Sequence, residues 1–219
     1  MINKDTRELF IYTEFGPSWA DMVDAPLVQS MLAELGSGDI NIRINSYGGS
    51  VDEALAIISM LQRHDGAVNV TIDSIAASAA SLFGAAFGAK IAPHARVMIH
   101  NPLMMTYGNK QDHEKSINVL ESYTESLVVL YDKAMKEKTK DEIQALLDAE
   151  TWFTAQAAVD AGLATELVEV KEPVQARTPK VVSFKNPLPF DPQEKPKQRD
   201  YLYDPERIAA ELKLKLLTT

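Results

Sequence analysis

Six of the eleven prolines in this 219-residue chain, at positions 173, 179, 187, 189, 192 and 196, fall between residues 171 and 200. Proline fixes φ and lacks the N–H that helix interiors and central strands require, so 171–200 reads as an extended linker. The folded core must therefore come from residues 1–170, with 201–219 as an appendage. The linker is locally basic, with seven Lys or Arg against four Asp or Glu; that balance of +3 leaves −12 on the remainder of a chain whose net charge is −9. Beyond it, Asp204 and Pro205 have the form of an N-cap and first helical residue. They would open a short helix whose Ile208, Leu212, Leu214, Leu216 and Leu217 need a covering partner.

Residues 1–170 alternate strand-like and helix-like stretches, the pattern of an α/β domain. Glu8–Tyr12 reads as a strand. Asp24 can cap a helix with Pro26 in its first turn, apolar residues recur at helical spacing from Leu27 to Leu35, and Gly36 stops it. The strand 40–44 runs into the turn 45–50, and a second helix follows from Val51 to Leu61. Val68, Val70 and Ile72 alternate as a third strand; a small-residue stretch (76–88) follows, then a fourth strand at 96–99. A long helix is expected over about 112–136, and Thr139 with Glu142 forms a capping box for the next. Thr154 can cap a last short helix that ends at Gly162.

The composition removes several chemistries. With no cysteine, a covalent nucleophile must be an oxygen or an amine, and thiolate metal sites are excluded. The negative charge repels phosphate backbones and anionic lipid, so neither nucleic acid nor membrane is expected as a partner of the core. Lys4, Asp5, Arg7 and Glu8 stand where a signal peptide needs an apolar run, which makes a cytoplasmic location the expectation. None of the four histidines pairs with carboxylates at metal-ligand spacing, and no Gly-Lys-Ser/Thr follows the glycine turn, so no metal, cofactor or bound nucleotide is expected.

Four places can carry chemistry. In Asn45-Ser46-Tyr47-Gly48-Gly49-Ser50, two residues without Cβ let backbone N–H groups approach an anion. In Ser74-Ile-Ala-Ala-Ser78-Ala-Ala-Ser81, serines among alanines stand at a strand-to-helix junction, where helix N–H groups stabilise negative charge. His100 ends an apolar strand and opens a proline-containing loop. Glu150 precedes Thr151-Trp152-Phe153, where a carboxylate beside aromatics can be desolvated and orient a histidine. Taken singly, each has an ordinary explanation as a turn, a packing contact, a structural hydrogen bond or a solvated helix end.

Together and in order, the 44–50 turn, the 74–80 segment, Arg96-Val-Met-Ile-His100-Asn-Pro102-Leu103 and Thr154-Ala-Gln-Ala-Ala-Val-Asp-Ala-Gly162-Leu163 resemble the proteolytic subunit of the Clp serine protease family over about residues 8–170. Glu150-Thr151-Trp152 is also similar to ClpP-like head-maturation proteases of tailed phages. The resemblance implies a single core domain of the ββα superhelix type shared by ClpP and crotonases, and a serine endopeptidase acting on polypeptides. It implies Ser78 as nucleophile, His100 as general base, and Gly48 and Ala79 N–H groups as the oxyanion hole. Two positions depart from the family: Glu150 stands in place of the triad aspartate, and Tyr47 in place of a proline.

The same resemblance implies rings, stacked through the long helix around an internal chamber, and an extended segment near 107–111 that binds substrate as an added strand. ATP dependence would need a separate unfoldase. Residues 201–219 are expected to dock on a neighbouring subunit or on a capsid or scaffold protein, the other partner expected. Two further functions remain open on sequence alone: a crotonase-like acyl-CoA enzyme, and a catalytically degenerate assembly module.

Overall fold

The computed structural model describes residues 2–169. The linker and terminal helix expected over 171–219 lie outside the described residues. Within them the elements are β1 (Ile2–Asn3), β2 (Glu8–Ile11), α1 (Ala25–Leu35), β3 (Ile40–Ser46), α2 (Val51–Gln62), β4 (Val68–Ala77), α3 (Ser81–Phe87), β5 (Lys90–Ile91), β6 (Arg96–Ile99), α4 (Lys110–Ala134), α5 (Lys140–Asp148), β7 (Thr151–Thr154), α6 (Ala155–Asp160) and β8 (Glu166–Leu167). One mixed sheet runs β1-β2-β3-β4-β5-β8, parallel throughout except at β1.

The sheet branches at β4. Its first half pairs with β5 at Thr71 and Ile72, and its second half pairs in parallel with β6 from Ile75↔Arg96 to Ala77↔Met98. β7 then returns antiparallel along β6, from Arg96↔Thr154 to Ile99↔Thr151. This branch sets the ends of β4, β6 and β7 side by side. Along β3 the side chains alternate strictly: Ile40, Ile42, Ile44 and Ser46 are buried, while Asn41, Arg43 and Asn45 are half-buried on the other face. Arg43 bonds there to Asp73 of β4, which also accepts from the Tyr12 hydroxyl at 2.7 Å.

The expected helices form where their caps lie. The Asp24 carboxylate accepts from Leu27 N–H at 2.9 Å and opens α1, and Thr139 with Glu142 forms the expected capping box on α5. α4 begins two residues before the expected start, because Asn109 and Asp112 form a second capping box. The extended segment therefore runs over 101–107; the expected substrate strand at 107–111 is corrected at its far end, since Lys110 and Gln111 are already helical.

Candidate active site

β4 buries Ala76 and Ala77 and delivers the chain to Ser78, whose φ of 53° is left-handed and unfavourable for any residue with a Cβ. Two contacts hold it there. The Ser81 hydroxyl donates to the Ser78 carbonyl at 2.6 Å and lies 2.7 Å from the hydroxyl of Tyr131, which is buried against it from α4. Having given its only proton to Ser78, Ser81 accepts from Tyr131. Burial pushes the Tyr131 phenol far up, opposed in part by that bond, so it stays a neutral donor.

The second contact is Gly48. A Cβ built on it would lie 2.6 Å from Ser78 Cβ and 2.7 Å from the Ala77 carbonyl oxygen, and its φ is 105°. No other residue fits this approach. Its N–H donates to Ser46 Oγ at 3.1 Å. Phe15 N–H donates to the Gly48 carbonyl and Ser50 N–H donates to the Phe15 carbonyl, forming a parallel bridge centred on Gly49. Gly48 is the glycine that packs against Ser78 and the Ala79 N–H, while Gly49 packs against Phe15. Gly48 is buried, whereas Gly49 is exposed and lines a cavity of about 350 Å³ together with Ser78 and His100. Ala79 N–H belongs to the first turn after Ser78, where helical N–H groups have no intrahelical acceptor.

His100 follows β6 directly, and its Nε2 lies 2.8 Å from Ser78 Oγ. The Ala77↔Met98 pairing explains the meeting, since both residues lie just past neighbouring strand ends. The other candidate serines are placed differently: Ser74 is exposed within β4, and Ser81 is buried as the support of Ser78.

Glu150 departs from expectation. The β6–β7 register, continued one step beyond Ile99↔Thr151, sets it opposite His100. Its φ of 48° ends the ladder, and its carboxylate accepts from Trp152 Nε1 at 3.4 Å. Among the described residues no carboxylate bonds to His100, so the expected orienting contact is not formed. A different carboxylate acts on the next residue. Asp148 Oδ1 accepts from Asn101 Nδ2 at 2.7 Å and from Gln144 Nε2 at 2.8 Å, and Asn101 first, then Gln144, hold its carboxyl below the usual range. Gln144 and Asp148 stand at i, i+4, a pairing visible in sequence; their link to Asn101 is tertiary and had no sequence signal.

The sequence model of the Clp protease family matches residues 3–171. The chain belongs to the Clp protease family. The relatives of this Clp protease include ATP-dependent Clp protease proteolytic subunit 1 of Protochlamydia amoebophila, 29% identical over 177 residues that cover 78% of this chain and 85% of the relative. The ATP-dependent Clp protease proteolytic subunit of Bacteroides fragilis is 32% identical over 166 residues, covering 74% and 79%, and that of Porphyromonas gingivalis 30%, covering 74% of each. The ClpP-type α/β fold and the serine endopeptidase class expected from the motifs are thereby established. Among the described residues of this Clp protease, no helix is long and apolar enough to cross a membrane.

Proposed function

We propose that this chain hydrolyses peptide bonds with Ser78 as nucleophile and His100 as general base; the observation that carries the proposal is the 2.8 Å separation of Ser78 Oγ and His100 Nε2. With its proton on Nδ1, the imidazole accepts the Ser78 hydroxyl proton as Oγ adds to the substrate carbonyl carbon. The resulting oxyanion takes hydrogen bonds from Gly48 and Ala79 N–H, each worth about 10² to 10³ in rate. His100 then protonates the leaving amine. Water, deprotonated by His100, cleaves the acyl-enzyme and restores Ser78. Glu150, opposite His100 in the strand register, is the family's third position and works here without a direct bond to the base.

Labelling by a fluorophosphonate, mapped by peptide mass spectrometry, tests this reading. Label on Ser78, lost together with casein hydrolysis in Ser78→Ala and His100→Ala, is expected; equal turnover by Ser78→Ala overturns it. The same result separates this reading from a crotonase-like enzyme, which needs no Ser–His pair, and from a degenerate assembly module.

The subunit assembles in rings, and the exposed Leu103, Met105 and Tyr107 give it apolar surface that assembly would cover. Relatives carry "ATP-dependent" in their names, and with no nucleotide-binding motif in this sequence that dependence would reside in a separate unfoldase. Electron microscopy of the purified particle, with and without such an ATPase, checks both. Head maturation in a phage, with a capsid or scaffold protein as substrate, is the alternative setting suggested by Glu150-Thr151-Trp152. Cleavage of such a protein without ATP would favour it.

A further inference from the structure

The cavity containing Ser78 and His100 also contains a carboxylate for which peptide hydrolysis has no use. Asp52 stands in the first turn of α2, lines this cavity and accepts from the Tyr123 hydroxyl of α4 at 2.6 Å. The remaining wall is mostly apolar, with Val51, Leu103, Met104 and Leu120. No lysine or arginine lines it, and Asp52 makes no ion pair among the described residues. One neutral donor leaves most of the acceptor capacity of a carboxylate, and all of its charge, unspent. Beyond Pro102 and Leu120 an adjoining cavity of about 500 Å³ has Glu121 and Glu125 as its only charged members, so nothing nearby reverses the sign.

An apolar wall bordered by an exposed carboxylate matches one class of side chain: a long hydrocarbon stem with a cationic head. We propose that Asp52, held by Tyr123, selects peptides with lysine or arginine beside the scissile bond. The inference rests on the proteolytic reading above and concerns only which peptides are preferred. Asp52 contacts the substrate side chain and takes no part in proton transfer. Tyr123 holds one oxygen of the exposed carboxylate, which favours a single rotamer beside the cavity.

The test uses the full chain and a fluorogenic peptide series that differs only at the residue before the scissile bond: lysine, norleucine or glutamate. Norleucine keeps the stem and deletes the charge. For a partly exposed ion pair the lysine peptide should exceed norleucine by about five-fold in kcat/KM. That ratio should shrink as salt is raised, because the pair is open to solvent. Asp52→Asn keeps the shape and the Tyr123 contact and should bring the ratio to about one. Tyr123→Phe should lower it partway. A ratio unmoved by Asp52→Asn, or a wild-type preference for norleucine or glutamate, overturns the assignment while leaving Ser78 as nucleophile. Absence of both cleavage and Ser78 labelling in the wild type overturns the proteolytic reading, and this inference with it.

Discussion

Gly48 and Ser78 touch so closely that a Cβ on the glycine would overlap the serine Cβ at 2.6 Å. Both residues have positive φ, so the turn after β3 and the turn after β4 are fitted to each other as two strained surfaces. Gly48→Ala must displace Ser78 or the turn itself. A displacement near 1 Å at a reacting atom costs about 10² in rate. The expected result is a kcat at least that far below wild type, with a labelling rate that falls in parallel. Gly36→Ala is the control, since its φ is 68° but nothing lies within 4 Å of the added methyl. It should cost about 1–3 kcal/mol of stability and no activity, measured by denaturant unfolding and peptide turnover.

Glu150→Gln distinguishes a triad from a pair. Losing a triad acid that contacts its histidine lowers kcat by about 10⁴. Because the Glu150 carboxylate rests on Trp152, the substitution should cost less than about ten-fold. A loss near the larger figure would mean that the carboxylate leaves Trp152 for His100 in the working enzyme.

Asn101 and Asp148 brace the loop that begins at His100, and disturbing them should change kcat more than KM. Asn101→Ala and Asp148→Ala are each expected to lower kcat by a few-fold to about 10² through misplacement of the imidazole. The acid side has a sign that can be checked. The folded-state pKa of Asp148 is lowered, so its contribution to stability is full above the unfolded carboxylate value and is lost as pH falls through the folded one. The difference in Tm between wild type and Asp148→Ala should therefore persist at neutral pH and vanish in acid.

Ser81→Ala should be worse than Tyr131→Phe. The first strips the hydrogen bond from the Ser78 carbonyl and leaves the Tyr131 hydroxyl buried without its partner, at about 1–3 kcal/mol. The second leaves the Ser81–Ser78 bond in place and costs about 1 kcal/mol. Chemical denaturation orders the two variants, and only Ser81→Ala should also slow labelling of Ser78.

Much of this arrangement was legible in the sequence because its signals are local. The caps at Asp24, Thr139 and Thr154 and the alternation of Val68, Val70 and Ile72 each lie within a few residues. What escaped depends on contacts between distant segments. Two adjacent glycines look alike in sequence; only the fold packs Gly48 against Ser78 and Gly49 against Phe15. Glu150 has the correct register but the wrong φ, a backbone property that its motif does not encode. The two-residue strands Lys90–Ile91 and Glu166–Leu167 are too short for any alternation to show. Asp52 reads as an ordinary first-turn acid until Tyr123, 71 residues away, is found on it.

The helix α4 meets the site twice. Leu120 and Tyr123 form part of the cavity wall, and two turns further on Tyr131 completes the hydrogen-bond chain beneath Ser78. A helix is stiff along its axis, so a shift of α4 would move this cavity wall and the hydrogen-bond support of Ser78 together. With Ser78 as nucleophile, a force on that helix would act on affinity and turnover at once.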